Sequence, residues 1–279
     1  MTTWFITGAS SGLGAALAAA VLDLGHDAVI TARNVDDVQG LVDRFPNRAL
    51  AVPLDVTDHD QVVAAVAAGT ERFGTVDVLV NNAGHGYRAA VEEAAPDEVA
   101  ELFATNLFGP VDLIKTMLPQ MRARRSGTIV NVSSIGAPRS NPASGYYTAT
   151  KAALEGLSDA LNREVGPLGI RVLVVEPGAF RTDFAGRSLT QSSTVIADYA
   201  DTAGRRRKEN DRSHGTQPGD PHRAARAIIA TLEGDEVPFR LLLGSDAVRL
   251  VRSEYEKRID EIDAWAHVSA TTDYDLEEA

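Results

Sequence analysis

The stretch Trp4-Phe5-Ile6-Thr7-Gly8-Ala9-Ser10-Ser11-Gly12-Leu13-Gly14 decides the fold of this chain. Residues 4–7 are a short apolar run of strand type. Gly8, Gly12 and Gly14 interrupt it before an alanine- and leucine-rich helical pattern over 15–24. Strand, glycine-rich turn and helix in that order form the phosphate-binding unit of a dinucleotide fold. Gly8 lets the chain turn sharply, Gly12 lets the backbone approach a pyrophosphate, and Gly14 lets the helix pack close to the strand. The phosphates would rest on the helix N-terminus, where free N–H groups and the helix dipole favour an anion. The spacing is GxxxGxG rather than GxGxxG, so the turn differs in detail from the commoner fingerprint.

Outward from this unit, branched-apolar runs recur at 28–31, 49–53, 76–80, 128–132, 170–175 and 240–243. Helical patterns lie between them at 35–44, 58–73, 96–121, 147–165 and 221–232. Near-continuous apolar strands alternating with helices predict a parallel sheet covered on both faces. Right-handed crossovers make it a doubly wound, Rossmann-type α/β domain. Two stretches break the rhythm. Residues 181–219 have little periodicity and are long for a loop, which predicts a substrate lid; their run Arg205-Arg206-Arg207-Lys208 reads as a solvated helix face. Residues 266–279 are acidic and polar and read as a poorly ordered tail after a single domain over 1–265.

Composition narrows the function. A chain of 279 residues needs only one such domain, and 44% hydrophobic with 24% charged side chains is ordinary for a globular protein. With 39 acidic against 27 basic residues the net charge is -12, which disfavours nucleic acid as a partner. The sequence has no cysteine, so disulfides, thiolate nucleophiles and cysteine-ligated metals are excluded. The six histidines are scattered without metal-ligand spacing, and no metal is expected. The chain opens in a core strand without a leader segment, and its apolar runs fall far short of the ~20 residues of a membrane helix. The expectation is a cytoplasmic protein without a membrane partner.

Chemistry enters with Tyr147 and Lys151, whose spacing puts a phenol and an ammonium on one helix face. A phenol has a reference pKa of about 10, and a nearby lysine cation favours its phenolate, so the pair is a candidate proton-transfer device. Ser134 follows the strand at 128–132, and Asn81-Asn82-Ala83-Gly84 follows that at 76–80. Both therefore lie at the carboxyl edge of the sheet, where ligands bind. The second strand ends Ile30-Thr31-Ala32-Arg33, with alanine where an NAD site places a carboxylate. Arg33 suits a 2′-phosphate, and NADP is expected over NAD, although the glycine loop offers Ser10 and Ser11 but no basic residue.

Together, Thr7-Gly8-x-x-x-Gly12-x-Gly14, Asn81-Asn82-Ala83-Gly84, Asn106, Ser134 and Tyr147-x-x-x-Lys151 resemble the short-chain dehydrogenase/reductase family in its compact single-domain branch. The resemblance runs in register over roughly two-thirds of the chain. It implies an NADP-dependent oxidoreductase interconverting a carbonyl and a secondary alcohol, with Asn106, Ser134, Tyr147 and Lys151 as catalytic set. The family spacing selects Ser134 over Ser133, and Tyr147 over Tyr146. Tyr147 would give its proton to the carbonyl oxygen and Ser134 would hold that oxygen. Lys151 would lower the tyrosine pKa and bind the nicotinamide ribose, while the Asn106 backbone bends a helix and holds a water.

By the same resemblance the cofactor would lie on Gly8, Ser10, Ser11, Gly12, Leu13, Gly14, Arg33, Asp55, Val56, Asn82, Ala83, Gly84, Tyr147, Lys151, Pro177, Gly178 and Thr182. Asp55 matches the aspartate that bonds the adenine amino group; its other reading is the cap of the following helix, for which Asp58 is better placed. Thr182 matches the position that meets the carboxamide, and His85 reads as a wall residue. Residues 177–182 and 241–247 resemble steroid-dehydrogenase-like members most, which implies a small and fairly apolar carbonyl or alcohol substrate. The family pairs the helices matching 96–121 and 147–165, implying a homodimer or homotetramer. Nucleotide-sugar epimerases and dehydratases share the Tyr and Lys but carry GxxGxxG and a larger C-terminal domain. Non-catalytic dinucleotide sensors typically lose the tyrosine or the lysine. Neither pattern is seen here.

Overall fold

Side chains alternate along each strand, and this alternation builds the two layers. In strand β1 (Thr3–Ile6), Trp4 and Ile6 enter one core and Phe5 enters the other. The computed structural model, which describes residues 1–186, 188–208 and 215–274, continues this pattern through β2 (Asp27–Ala32), β3 (Ala49–Pro53) and β4 (Val78–Asn81). Further strands are β5 (Gly86–Arg88), β6 (Gly127–Val132), β7 (Ile170–Pro177), β8 (Leu189–Gln191) and β9 (Arg240–Leu243). Seven of them form one parallel sheet in the order β3-β2-β1-β4-β6-β7-β9, while β5 and β8 pair separately. It is a single-domain Rossmann-type fold.

Helices cover both faces. Helices α1 (Gly12–Asp23), α2 (Asp36–Arg44) and α7 (Pro221–Glu233) pack on the Trp4 and Ile6 side. Helices α3 (His59–Phe73), α5 (Gly109–Arg124) and α6 (Gly145–Val165) pack on the Phe5 side, around Leu79 and Ile129. Each such buried large side chain stabilises the fold by about 1.5–3 kcal/mol. Asp58 caps α3 by accepting the Gln61 N–H at 3.2 Å, and Asp220 caps α7 by accepting those of His222 and Arg223. Strand order reverses between β1 and β4, which opens a crevice at their carboxyl ends.

Three expectations change. The helix expected over 96–121 divides into α4 (Pro96–Phe103), a π-helical turn Ala104–Phe108 and α5. The cause is local: Pro110 has no N–H to donate, and the Gly109 N–H just before it reaches back five residues to the Ala104 carbonyl. Second, the basic run is not a solvated face throughout. Arg207 pairs with the buried carboxylate of Glu93, and only Arg205 and Lys208 are exposed. Third, helix α8 (Ser245–Ser269) and the 3-10 turn Ala270–Thr272 carry regular structure past the expected domain boundary at 265. Residues 245–269 contain no proline or glycine, so nothing breaks the helix although its outer half is exposed. Residues 275–279 of the expected tail lie outside the described residues. No helix among the described residues is long and apolar enough to cross a membrane.

Candidate active site

The crevice is a cleft of about 1010 Å³, and nearly all residues singled out in the sequence line it. Gly14 and Asn106 lie behind its wall. The glycine loop has the shape a pyrophosphate needs. Gly8 turns with φ of 64°, and a Cβ on Gly14 would stand 2.5 Å from the Gly8 carbonyl oxygen. Helix α1 starts at Gly12, and its N-cap Ser11 makes no side-chain cap, so the first-turn N–H groups are left for an anion. Asn82 supports this loop from below: its Nδ2 donates to the carbonyls of Thr7 at 2.8 Å and Gly8 at 3.1 Å. Ser10, Leu13, Ala83 and Gly84 complete the floor.

At the far end of the same cleft Arg33 is exposed beside the buried Ala32. Asp55 and Val56 face them. Asp55 does not cap α3; its Oδ1 closes a turn by accepting the Thr57 N–H at 3.0 Å and hydroxyl at 2.7 Å. On the opposite lip, Thr182 stands over the loop, 3.3 Å from where a Gly12 Cβ would be. The Pro177-Gly178 turn is held by the Gly178 N–H on the Leu243 carbonyl and by Asp246, which accepts the Ala179 N–H at 2.9 Å. These residues fit a nicotinamide dinucleotide.

Helix α6 brings Tyr147 and Lys151 to the wall of the cleft. Ser134 meets Tyr147 at Gly136, where a Cβ would stand 3.2 Å from Ser134 Oγ and 3.3 Å from the tyrosine ring, and Ser134 Oγ accepts the Gly136 N–H at 2.9 Å. Lys151 is 5% exposed, and its Nζ donates to the Val132 carbonyl at 2.9 Å. Burial lowers its pKa to about 8, against the opposing charge of Glu155. Burial raises the Tyr147 pKa, and the nearby Ser134 hydroxyl and the charge of Arg88 pull it down. The sequence pointed to Lys151 as the cation acting on the phenol. In the folded chain the lysine ammonium donates to Val132 and lies 5.9 Å from the tyrosine ring centre, and the charge of Arg88 is a second cation that favours the phenolate.

Asn106 sits fully buried in the π turn. Its side chain grips the peptide of His85, accepting the N–H at 3.0 Å and donating to the carbonyl at 2.9 Å, and donates to Thr150 of α6 at 3.3 Å. It thereby ties the loop after β4 to the helix that carries Tyr147. The neighbours of the predicted pair take structural partners: Ser133 donates to Glu155 at 2.6 Å, and Tyr146 to the Val91 carbonyl at 3.0 Å. His85 is half-buried in the wall, and burial lowers its pKa. Arg88 was missed in the sequence. It lies on β5, a strand of three residues that is too short to leave a periodic signal.

Comparison with known proteins places the chain. The family described as short chain dehydrogenase matches residues 2–193. An oxidoreductase of Botryotinia fuckeliana, BOA17, is 39% identical over 95% of this chain and 97% of its own length. A short-chain dehydrogenase from Streptomyces avermitilis is 43% identical, with a TM-score of 0.91 over 98% of this chain and all of that one. An alcohol dehydrogenase from Thermococcus sibiricus, solved with 5-hydroxy-NADP, is 27% identical with a TM-score of 0.72, covering 87% of this chain and 96% of its own. The glycine loop, the tyrosine and lysine on α6, and a match reaching from β1 through β8 carry one meaning: the chain belongs to the short-chain dehydrogenase/reductase family, whose members are oxidoreductases that use a nicotinamide dinucleotide.

Proposed function

We propose that the protein interconverts a carbonyl and a secondary alcohol with NADP, using Ser134, Tyr147, Lys151 and Asn106. The observation that carries this reading is the buried Tyr147 phenol beside Ser134 on the wall of the dinucleotide cleft, with Lys151 one turn further along the same helix. A bound nicotinamide supplies or accepts the hydride. Tyr147, held neutral by burial, is the proton donor to a carbonyl oxygen, and the Ser134 hydroxyl holds that oxygen as charge develops. Lys151, close to its titration range, passes protons between the ribose side and the Asn106 turn. Arg33 and Ala32 support NADP over NAD, since a guanidinium suits the 2′-phosphate and no carboxylate opposes it.

Phe184 and Leu189 on the 181–219 segment give the reacting end an apolar side and support an aliphatic or ring-bearing substrate body beneath a lid. Phe108, 61% exposed just before α5, supports pairing of subunits through α5 and α6, as a homodimer or homotetramer. The test is a panel of ketones and alcohols followed by nicotinamide absorbance with both cofactors, in the parent and in Tyr147→Phe. The parent turns over, and the variant loses roughly 10²–10⁴-fold in kcat with cofactor binding nearly intact. Parent-like turnover in Tyr147→Phe, with the loss appearing in Tyr146→Phe instead, refutes the assignment.

A further inference from the structure

A buried cation with no counter-charge among the described residues lines the cleft together with Tyr147. Arg88 is 8% exposed, and its Nη1 donates only a long hydrogen bond, 3.4 Å, to the carbonyl of its neighbour Tyr87. Its Nε is fully buried without a partner, and no ion pair reaches it among the described residues. Arg207 shows how this fold treats a guanidinium buried for structure: it pairs directly with Glu93. An unbalanced buried charge is costly, and the cost is removed when a ligand brings the opposite charge.

The position of Arg88 says which ligand. It lines the cleft together with Ser134 and Tyr147, and its charge acts on the phenol. Burial, together with the positive charge of Arg206 on the same wall, lowers its own pKa to about 10. The anion site of the dinucleotide is elsewhere, at the start of α1 and at Arg33. Apolar side chains adjoin Arg88: the Phe184 ring lies 5.8 Å from that of Tyr147, and Leu189 packs over Gly86 of β5.

We propose that Arg88 determines substrate specificity, and that the carbonyl or alcohol compound handled at Ser134 and Tyr147 is an aliphatic keto or hydroxy acid whose oxyanion group seats on Arg88. This rests on the oxidoreductase reading. The planar guanidinium fork matches a carboxylate, and a phosphate monoester shares the same anionic chemistry.

The test has a binding arm and a turnover arm. The NADP-loaded protein is titrated with octanoate, octyl phosphate and octanamide, and NADPH oxidation is followed with a beta-keto acid and its methyl ester. Octanoate should bind about 10- to 100-fold more tightly than octanamide, the range of one charge-assisted contact, and the acid should be favoured over the ester by a similar factor in kcat/KM. Arg88→Met should erase both ratios and Arg88→Lys should keep part of them. Because each is a ratio within one variant, a changed tyrosine pKa moves neither. Octyl phosphate binding more tightly than octanoate assigns the anion to a phosphate. Equal binding of octanoate and octanamide by the parent overturns the proposal, even where the ester is reduced and the oxidoreductase reading stands. Anion-selective binding that Arg88→Lys retains in part, with neither keto compound reduced, upholds the assignment of Arg88 and counts against the oxidoreductase reading. The parent comparison decides the matter if Arg88→Met does not fold.

Discussion

Replacing Glu93 with glutamine should release the segment that follows Thr182. The Glu93 side chain is 1% exposed and accepts the N–H groups of Ala90 at 2.8 Å and Ile196 at 2.9 Å, besides pairing with Arg207. Its backbone carbonyl accepts the Ser192 hydroxyl at 2.6 Å. One residue thus ties down residues 192, 196 and 207. The amide of Glu93→Gln has a single acceptor oxygen and no charge, and it leaves Arg207 buried without its partner. Breaking a buried pair from one side costs about 3–5 kcal/mol. These contacts bind one segment rather than the sheet, so the loss should appear as local opening, raised roughly 10²- to 10⁴-fold at 1.4 kcal/mol per decade. Hydrogen exchange of the amides in β8 and over 192–204 reads this directly, with the sheet amides as internal control.

The pH dependence has a definite sign. Burial pushes the Glu93 carboxyl up, but the Ile196 and Ala90 N–H groups and Arg207 together hold it below its ordinary 4.5. A folded pKa below the unfolded one means the tie is fully present above 4.5 and fades as pH falls through the folded value. The parent segment should therefore loosen in acid, and Glu93→Gln should lack that step. Arg207→Met and the double variant complete a cycle. Unchanged exchange in Glu93→Gln, or additivity of the two substitutions within about 0.5 kcal/mol, refutes the reasoning.

Two other predictions need no substrate. Arg33→Ala should weaken NADP binding about 10- to 100-fold with little effect on NAD, and Ala32→Asp should reverse the preference; a parent that binds NAD more tightly than NADP in fluorescence titration refutes the cofactor assignment. Glu176 is buried, neither carboxylate oxygen has a hydrogen-bond partner, and burial, with the nearby Glu155, raises its pKa to about 7 against the pull of Arg240. Its folded pKa lies above the ordinary 4.5, so the folded chain should lose stability as pH rises from 4.5 to about 7. Glu176→Gln should flatten that part of the Tm curve and melt higher than the parent above pH 7; a parent curve whose slope the substitution leaves unchanged contradicts this.

What could be read from the sequence was local. The glycine turn, the apolar strand runs and the spacing of Tyr147 and Lys151 each follow from periodicities of a few residues, and from these the parallel sheet and its ligand edge follow by general rules. The π turn also had a local cause in Pro110, although a helical pattern of apolar residues continues across it and conceals the break. The end of helix α8 was hidden for another reason: its outer half is exposed, and the residues beyond 265 are largely polar and so resemble a tail. The charges were decided only by the tertiary structure. Glu93 and Arg207 are 114 residues apart, and Glu155 and Glu176 come from a helix and a strand that the sheet order brings together near Arg240. Arg88 is buried because β5 pairs with β8, about a hundred residues further on. Periodicity records which face of an element is apolar; whether a charge is paired or left for a ligand depends on the low-dielectric neighbours that distant segments supply.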